Sequence, residues 1–419
     1  MQEISYGRYS LLSATLRGVE AVPVEVEVSV FRGLPSFSIV GMPDSSIQES
    51  KERIFSAIKS SKFIMPNARI VVNLAPGHIK KSGSGFDLPI AVAILVATGQ
   101  IPYDEIYKYM LIGELSLDGA VREIPGLLAF ALCAKDKGLN LLGADSKEQS
   151  VEVEGVNQFY VESLSSFREN DFKPVEFVNN NDQDYECYDF KDISGHDVAK
   201  RALQIAACGN HGVLMIGPPG SGKTMLASRL PSILPPLTKD EQMESAVIHS
   251  IAGESVTSIL DGVRPFRSPH HSATLPGLIG GGNPTRPGEV SLAHNGVLYL
   301  DELAEFGTHV LQGVRQPMES GDVTIIRADG AVTFPARFSL IAASNPCPCG
   351  YFGDKEHECK CTAKQISNYQ RKIGGPVMDR IDMHLDVSRI DAKSVLTTGN
   401  GTSSDELLEG VLKGRDFAH

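Results

Sequence analysis

Val22, Val24, Val26, Val28 and Val30 alternate with Glu25, Glu27 and Ser29, a period of two that predicts a half-buried strand. Residues 37–40 and 70–74 predict two more strands. Between them the spacing changes to that of a helix. Ile47, Ile54, Phe55 and Ile58 share one face, and Asp44 stands where an N-cap belongs. Residues 87–98 are apolar on nearly every side, which predicts a buried helix. Asp118-Gly119 inside 115–121 predicts a hairpin, since Asp-Gly suits a type I′ turn, and 127–137 predicts another helix. Residues 1–171 therefore read as an α+β domain with a mixed sheet. From 172 to 191 the periodicity is lost, and Asn179-Asn180-Asn181-Asp182-Gln183-Asp184 reads as an acidic linker.

A second pattern begins beyond it. A helix is expected over 198–208, an apolar strand over 212–216, and a helix start at 225–230. Between strand and helix lies Gly217-Pro218-Pro219-Gly220-Ser221-Gly222-Lys223-Thr224. Glycines there let backbone N–H groups crowd around an anion, and the helix N-terminus adds partial positive charge. Lys223 is placed to reach the outer phosphates of a nucleoside triphosphate, and the Thr224 hydroxyl to ligate Mg2+. The apolar run 296–300 ends in Asp301-Glu302, the second half of such a site. Asp301 holds magnesium through water, and Glu302 polarises the attacking water. The strand at 338–344 ends in Asn345, which can set that water against the γ-phosphate. Alternating strands and helices predict a doubly wound parallel sheet with ATP at its carboxyl ends. Two insertions interrupt it. One spans roughly 238–295; the other, 322–334, reads as a hairpin with Arg327 near its tip.

The chain has 419 residues, enough for two or three domains, and its 42% hydrophobic and 21% charged residues suit a globular protein. A net charge of −12 argues against broad attraction to nucleic acid or membranes, though a ring lumen can still be basic. The start of the chain lacks a basic stretch leading into an apolar core, and the longest apolar run is too short to span a bilayer. No membrane partner and a cytoplasmic location are the expectations. Seven cysteines, an odd count, do not suggest a disulfide framework. Cys347, Cys349, Cys359 and Cys361 fall within fifteen residues and can enclose one structural Zn2+, with His357 able to replace a ligand; free surface thiols are the alternative.

Residues 80–98, 113–119 and 124–127 resemble the Lon-protease-like domain of the ribosomal S5 fold. The resemblance puts Gly85 where the serine nucleophile would stand and Phe130 where its lysine would. Ser84 and Lys81 are near but out of position. It therefore implies a non-proteolytic domain. Residues 217–224, 298–303, Leu311-Gln312-Gly313-Val314-Arg315-Gln316-Pro317-Met318-Glu319 and Asn345-Pro346-Cys347-Pro348-Cys349-Gly350 resemble the ComM/YifB family. These are magnesium-chelatase-like AAA+ ATPases with an N-terminal Lon-like domain, and the likeness runs from about residue 6 to 387.

That resemblance implies an AAA+ core over 192–390, with a helix-2 insertion and a pre-sensor hairpin, in a homo-hexameric ring. It implies a branch-migration helicase acting on single-stranded or branched DNA during uptake and recombination. Arg264, Arg267, Arg286 and Arg327 would meet DNA phosphates. Arg380, within Val377-Met378-Asp379-Arg380-Ile381-Asp382, would be the arginine finger entering a neighbour's site, with a local pair to Asp379 or Asp382 as the alternative. His196 stands where the family usually has glutamine, which leaves base selectivity open. Residues 391–419 would begin a helical lid that is truncated, its first helix at 405–413. A magnesium-chelatase-like remodelling ATPase is the second reading. An ATP-dependent protease is the third, disfavoured by Gly85 and Phe130.

Overall fold

The structure is a computed structural model that describes residues 7–146, 149–177, 188–327, 330–354, 356–373, 377–390 and 401–418. The expected linker run 179–184 lies outside them, as does much of the expected lid boundary, 391–400.

Period-two alternation builds the first sheet. Glu20–Phe31 buries Val24, Val26, Val28 and Val30 on one face and turns Glu25 to solvent. It pairs antiparallel with Arg8–Arg17 on one side and Arg69–Ala75 on the other. Arg8–Arg17 was not anticipated, because its apolar residues do not alternate. Eight strands lie in the order Lys173–Pro174, Gln158–Tyr160, Asn140–Gly143, Tyr109–Leu111, Arg8–Arg17, Glu20–Phe31, Arg69–Ala75, Ser36–Val40. Both parallel and antiparallel neighbours occur, as expected of a mixed sheet. Helices Ser45–Ser60 and Asp87–Ala97 cover one face, sharing a core with Leu111. Met110 and Ile112 point the other way, onto helix Leu127–Asp136. Asp87–Ala97 is buried along its whole length, which is why its sequence shows no polar stripe. Asp44 caps Ser45–Ser60 through Ile47 N–H.

The second sheet is parallel throughout, in the order Phe266–Arg267, Val297–Leu300, Ser339–Ser344, Val213–Ile216, Met383–Asp386. Its central strands are apolar on both faces because both are covered. Val213, Met215, Tyr299 and Ile341 face helix Asp197–Gly209. Leu214, Leu298, Leu340 and Ala342 face helix Thr308–Ser320. The edge strand Phe266–Arg267 comes from the first insertion and is too short to show a pattern.

That insertion also joins the two halves. Helix Lys239–Ala252 starts with a capping box between Thr238 and Glu241. Its Ala246, Val247 and Ile251 share a core with Leu128 and Phe130. Ser250 accepts Gly126 N–H at 2.8 Å through its carbonyl and Leu128 N–H at 3.2 Å through Oγ. The expected helix at 405–413 is Ser404–Ala418, laid on Asp197–Gly209 with Gln204 Nε2 donating to Leu407 O at 2.9 Å. Among the described residues no helix is long and apolar enough to cross a membrane.

Candidate nucleotide site

Three neighbouring strands end at one place. Val213–Ile216 runs into the glycine-rich turn, Val297–Leu300 into Asp301-Glu302, and Ser339–Ser344 into Asn345. The turn is tight for steric reasons. A Cβ on Gly217 would come within 2.1 Å of Val387 O, and Gly220 and Gly222 hold φ of 76° and 87°. Lys223 opens the following helix. Its Nζ lies 2.8 Å from Gly217 O, 3.0 Å from Pro218 O and 3.4 Å from Asn345 Oδ1. Burial pushes the Lys223 pKa down, opposed by the Asp301 and Glu302 carboxylates. Ser221 Oγ is buried with no hydrogen-bond partner among the described residues. An acceptor such as a phosphate oxygen satisfies that hydroxyl, so the cradle fits a triphosphate.

Thr224 Oγ1 donates to Asp301 Oδ2 at 2.9 Å and accepts from Tyr299 OH at 3.2 Å. Burial raises the Tyr299 phenol well above its ordinary value, so it stays a neutral donor. Thr224 and Asp301 are thus adjacent, as a shared magnesium requires. Glu302 sits in the left-handed region at φ 51° and extends toward solvent, 3.3 Å from His271 Nδ1. Tyr299 and His271 had no role assigned from sequence: one reads as core, the other as part of the first insertion. His196 packs against the turn, its Nε2 3.4 Å from where a Cβ on Gly222 would lie.

Arg389 was also missed. Its Nε and Nη2 donate to Pro219 O at 3.2 and 2.9 Å, and its Nη1 lies 2.9 Å from His357 Nδ1. This ties the phosphate loop to the cysteine loop. There, Cys347 Sγ lies 3.4 Å from Cys349 and 3.7 Å from Cys359, and all four sulfurs fall within 4.8 Å of one another. A tetrahedral zinc with Zn–S near 2.3 Å needs sulfurs about 3.8 Å apart. Backbone N–H groups, that of Tyr351 first, hold the Cys349 thiol down to about 6. His357 stacks on Tyr351 instead, with centroids 4.9 Å apart, so the group that could hold a metal ion is Cys347, Cys349, Cys359 and Cys361.

Arg380 lies elsewhere. It precedes Met383, which pairs with Val213 at the amino end of the sheet, opposite the phosphate loop. Its Nη2 meets Glu319 Oε1 at 2.7 Å, an oxygen that also accepts from Arg315 Nε. Neither Asp379 nor Asp382 is its partner; Asp382 accepts Gly212 N–H.

The four arginines expected at DNA phosphates separate into two pairs. Arg264 donates to Pro235 O, Asn295 O and Glu241, and Arg267 makes forked contacts to Glu254 and Glu289. Both guanidiniums are turned inward and fully engaged, so the phosphate expectation is withdrawn for them. Arg286 and Arg327 have no ion pair or side-chain hydrogen bond among the described residues. Arg327 ends the strand Asp322–Arg327, which pairs with Gly330–Pro335 as the expected hairpin. In the first half, Lys81 is fully buried with Nζ donating to Gly41 O at 3.0 Å and to Pro76 O. Ser84 is not among its partners.

The profile of "Magnesium chelatase, subunit ChlI" matches residues 189–395, and that of "Subunit ChlI of Mg-chelatase" matches 26–143. The uncharacterized protein YifB of Escherichia coli is 39% identical over 410 residues, covering 95% of this chain and 80% of its own. The competence protein ComM of Haemophilus influenzae is 39% identical over 432 residues, covering 99% and 82%. The chain belongs to the ComM/YifB family of magnesium-chelatase-like AAA+ ATPases. Its similarity to the magnesium-chelatase 38 kDa subunit of Cereibacter sphaeroides is more distant, 25% over 179 residues.

Proposed function

We propose that the chain is an ATP-hydrolysing DNA motor whose phosphate loop forms half of a site completed by a neighbouring copy. The observation that carries this is the opposition of two ends of one sheet. Lys223, Thr224, Asp301 and Asn345 gather at the carboxyl end, and Arg380 stands at the amino end. An arginine so placed reaches a γ-phosphate only across a subunit boundary, which implies a closed ring, a homo-hexamer in this family.

The backbone of residues 217–222 and Lys223 would hold the triphosphate, and Thr224 with Asp301 would hold Mg2+. When bound there, Mg2+ would supply Lewis-acid neutralisation of charge on the phosphoryl oxygens. Glu302 accepts the proton of the attacking water, Asn345 orients that water, and His271 holds the Glu302 carboxylate in place. Arg380 of the adjacent copy stabilises the transferring group. Four cysteinate ligands around Zn2+ would fix the loop that follows Asn345 and, through Arg389, brace Pro219.

In this reading residues 1–171 are a Lon-like domain without peptidase chemistry, 192–390 the AAA+ core and 391–419 the start of a helical lid. Arg327, at the end of strand Asp322–Arg327, meets the phosphates of single-stranded or branched DNA. Unwinding of a branched DNA junction with ATP tests the motor. A second reading, remodelling of a chelatase-type partner, is favoured by the family match at residues 189–395. It predicts ATP turnover with no strand displaced.

A further inference from the structure

The loop from Cys347 to Cys361 leans on the phosphate loop at two points. The first is backbone against ring. Gly350, at φ 84°, lies so close to Pro219 that a Cβ there would come within 2.6 Å of Pro219 Cδ. The second runs through Arg389, whose Nε and Nη2 donate to Pro219 O. The other side of that guanidinium is held by the cysteine loop. Its Nη1 donates to His357 Nδ1 at 2.9 Å and lies 3.7 Å from Glu356 Oε2 and 3.9 Å from Asp354 Oδ2. The Tyr351 ring centroid is 5.6 Å from Arg389 Cζ. Gly350 follows Cys349, and residues 351–357 lie between the two cysteine pairs, so both contacts inherit the positions of the sulfurs.

Four sulfurs this close have two arrangements of different shape. Around a tetrahedral metal ion, thiolates stand about 3.8 Å apart. A disulfide draws two of them to about 2.05 Å. Cys349 Sγ and Cys359 Sγ are 3.6 Å apart, near the first arrangement. A bond between them requires an approach of about 1.5 Å, which the segment they bracket must take up. Cys347 is fully buried, whereas Cys349 and Cys359 are part-exposed and open to a small solute. Thiols scattered over a surface would carry no such consequence. Here both contacts converge on Pro219, within the turn that cradles the triphosphate.

We propose that the four-cysteine cluster is an oxidation site for peroxides, at which a Cys349–Cys359 disulfide slackens the grip on Pro219 and lowers nucleotide affinity. This rests on reading the cluster as a zinc site and not on what the motor acts on.

Two electrons move per disulfide. The Cys349 thiolate attacks one oxygen of hydrogen peroxide; the O–O bond breaks and hydroxide leaves, giving a sulfenic acid. The Cys359 thiolate then attacks that sulfur; the S–O bond breaks and a second hydroxide leaves. Two thiolates and one peroxide thus become one disulfide and two hydroxides. Loss of two of its four ligands releases the metal. A dithiol reductant returns both electrons and restores the two cysteines.

The test treats the full chain, purified without chelator, with a small excess of hydrogen peroxide. Zinc release is read with a colorimetric chelator, disulfides by peptide mass mapping, and affinity by titration with a fluorescent ATP analogue. Mapping should find Cys349 joined to Cys359 as zinc appears in solution. Nucleotide affinity should fall about tenfold, the worth of one charge-assisted hydrogen bond. Reductant with added zinc should restore both. Arg389→Ala should start at the weaker affinity and still form the disulfide, and peroxide should lower its affinity much less than the parent's. Affinity unchanged once the disulfide has formed overturns the proposal. So does a drop that reductant and zinc do not reverse, a disulfide mapped to other cysteines, or an Arg389→Ala chain as sensitive to peroxide as the parent. A parent chain without zinc, in which peroxide still links Cys349 to Cys359 and weakens binding, upholds the oxidation site and refutes the zinc reading.

Discussion

Thr224 Oγ1 and Asp301 Oδ2 lie 2.9 Å apart, joining the first helical turn after the phosphate loop to the residue that follows strand Val297–Leu300. The parallel register Leu214↔Ala342 and Leu300↔Ala342 fixes this meeting, since the two strands flank one common neighbour. Asp301→Asn should leave ATP binding within a few-fold while slowing hydrolysis on the order of 10²-fold or more, because it weakens only the metal-holding carboxylate. Isothermal titration and a phosphate-release assay separate the two. Equal loss of both would show that Asp301 supports the fold of the loop instead.

Arg327→Ala should weaken DNA-stimulated ATP hydrolysis more than basal hydrolysis, because its guanidinium has no intramolecular partner among the described residues to lose. Arg267→Ala should instead destabilise the chain by about 1–3 kcal/mol, leaving Glu289 part-buried without its partner and Glu254 with His249 alone. Chemical denaturation with parallel ATPase assays distinguishes the two arginines.

Protein purified without chelator should carry about one zinc per chain, and Cys359→Ser should lose most of it. Loop 347–361 should then loosen its hold on Pro219, measurable as weaker nucleotide binding. Substoichiometric zinc in the parent chain would sink the metal site.

Burial pushes Asp87 up to about 6, even with Arg53 Nε at 2.6 Å. A raised carboxyl pKa favours the protonated fold. Its contribution is fully present below about 3.9 and is lost as pH rises through 6. About two units correspond to roughly 3 kcal/mol at most. The stability difference between parent and Asp87→Asn should therefore shrink between pH 4 and pH 7. A constant difference would show that the Arg53 pair keeps Asp87 ionised throughout.

Both strand periods and the phosphate motif were legible because each is local. Valines at every second position need only one neighbour on each side to make Glu20–Phe31 a half-buried strand. Lys223, Asp301 and Asn345 could be brought together on paper because parallel strands must end on the same side. Arg264 and Arg267 could not be placed, since their carboxylates, Glu241, Glu254 and Glu289, come from separate turns of the insertion. Arg389 was missed for the same reason: its partner, Pro219, is 170 residues away. The joint between the halves depends on helix Lys239–Ala252 docking against Leu127–Asp136, a contact that neither helix's pattern names.

The shared site is tested most directly by mixing two inactive chains. Lys223→Ala lacks a working cradle and keeps Arg380; Arg380→Ala lacks the finger, keeps the cradle, and should still bind ATP. Each alone should hydrolyse ATP at least about 10³-fold more slowly than the parent. In an equal mixture, about a quarter of the interfaces pair an intact cradle with an intact finger, so ATPase activity should return to roughly that fraction. A mixture as inactive as its components would contradict a site completed by the neighbouring copy.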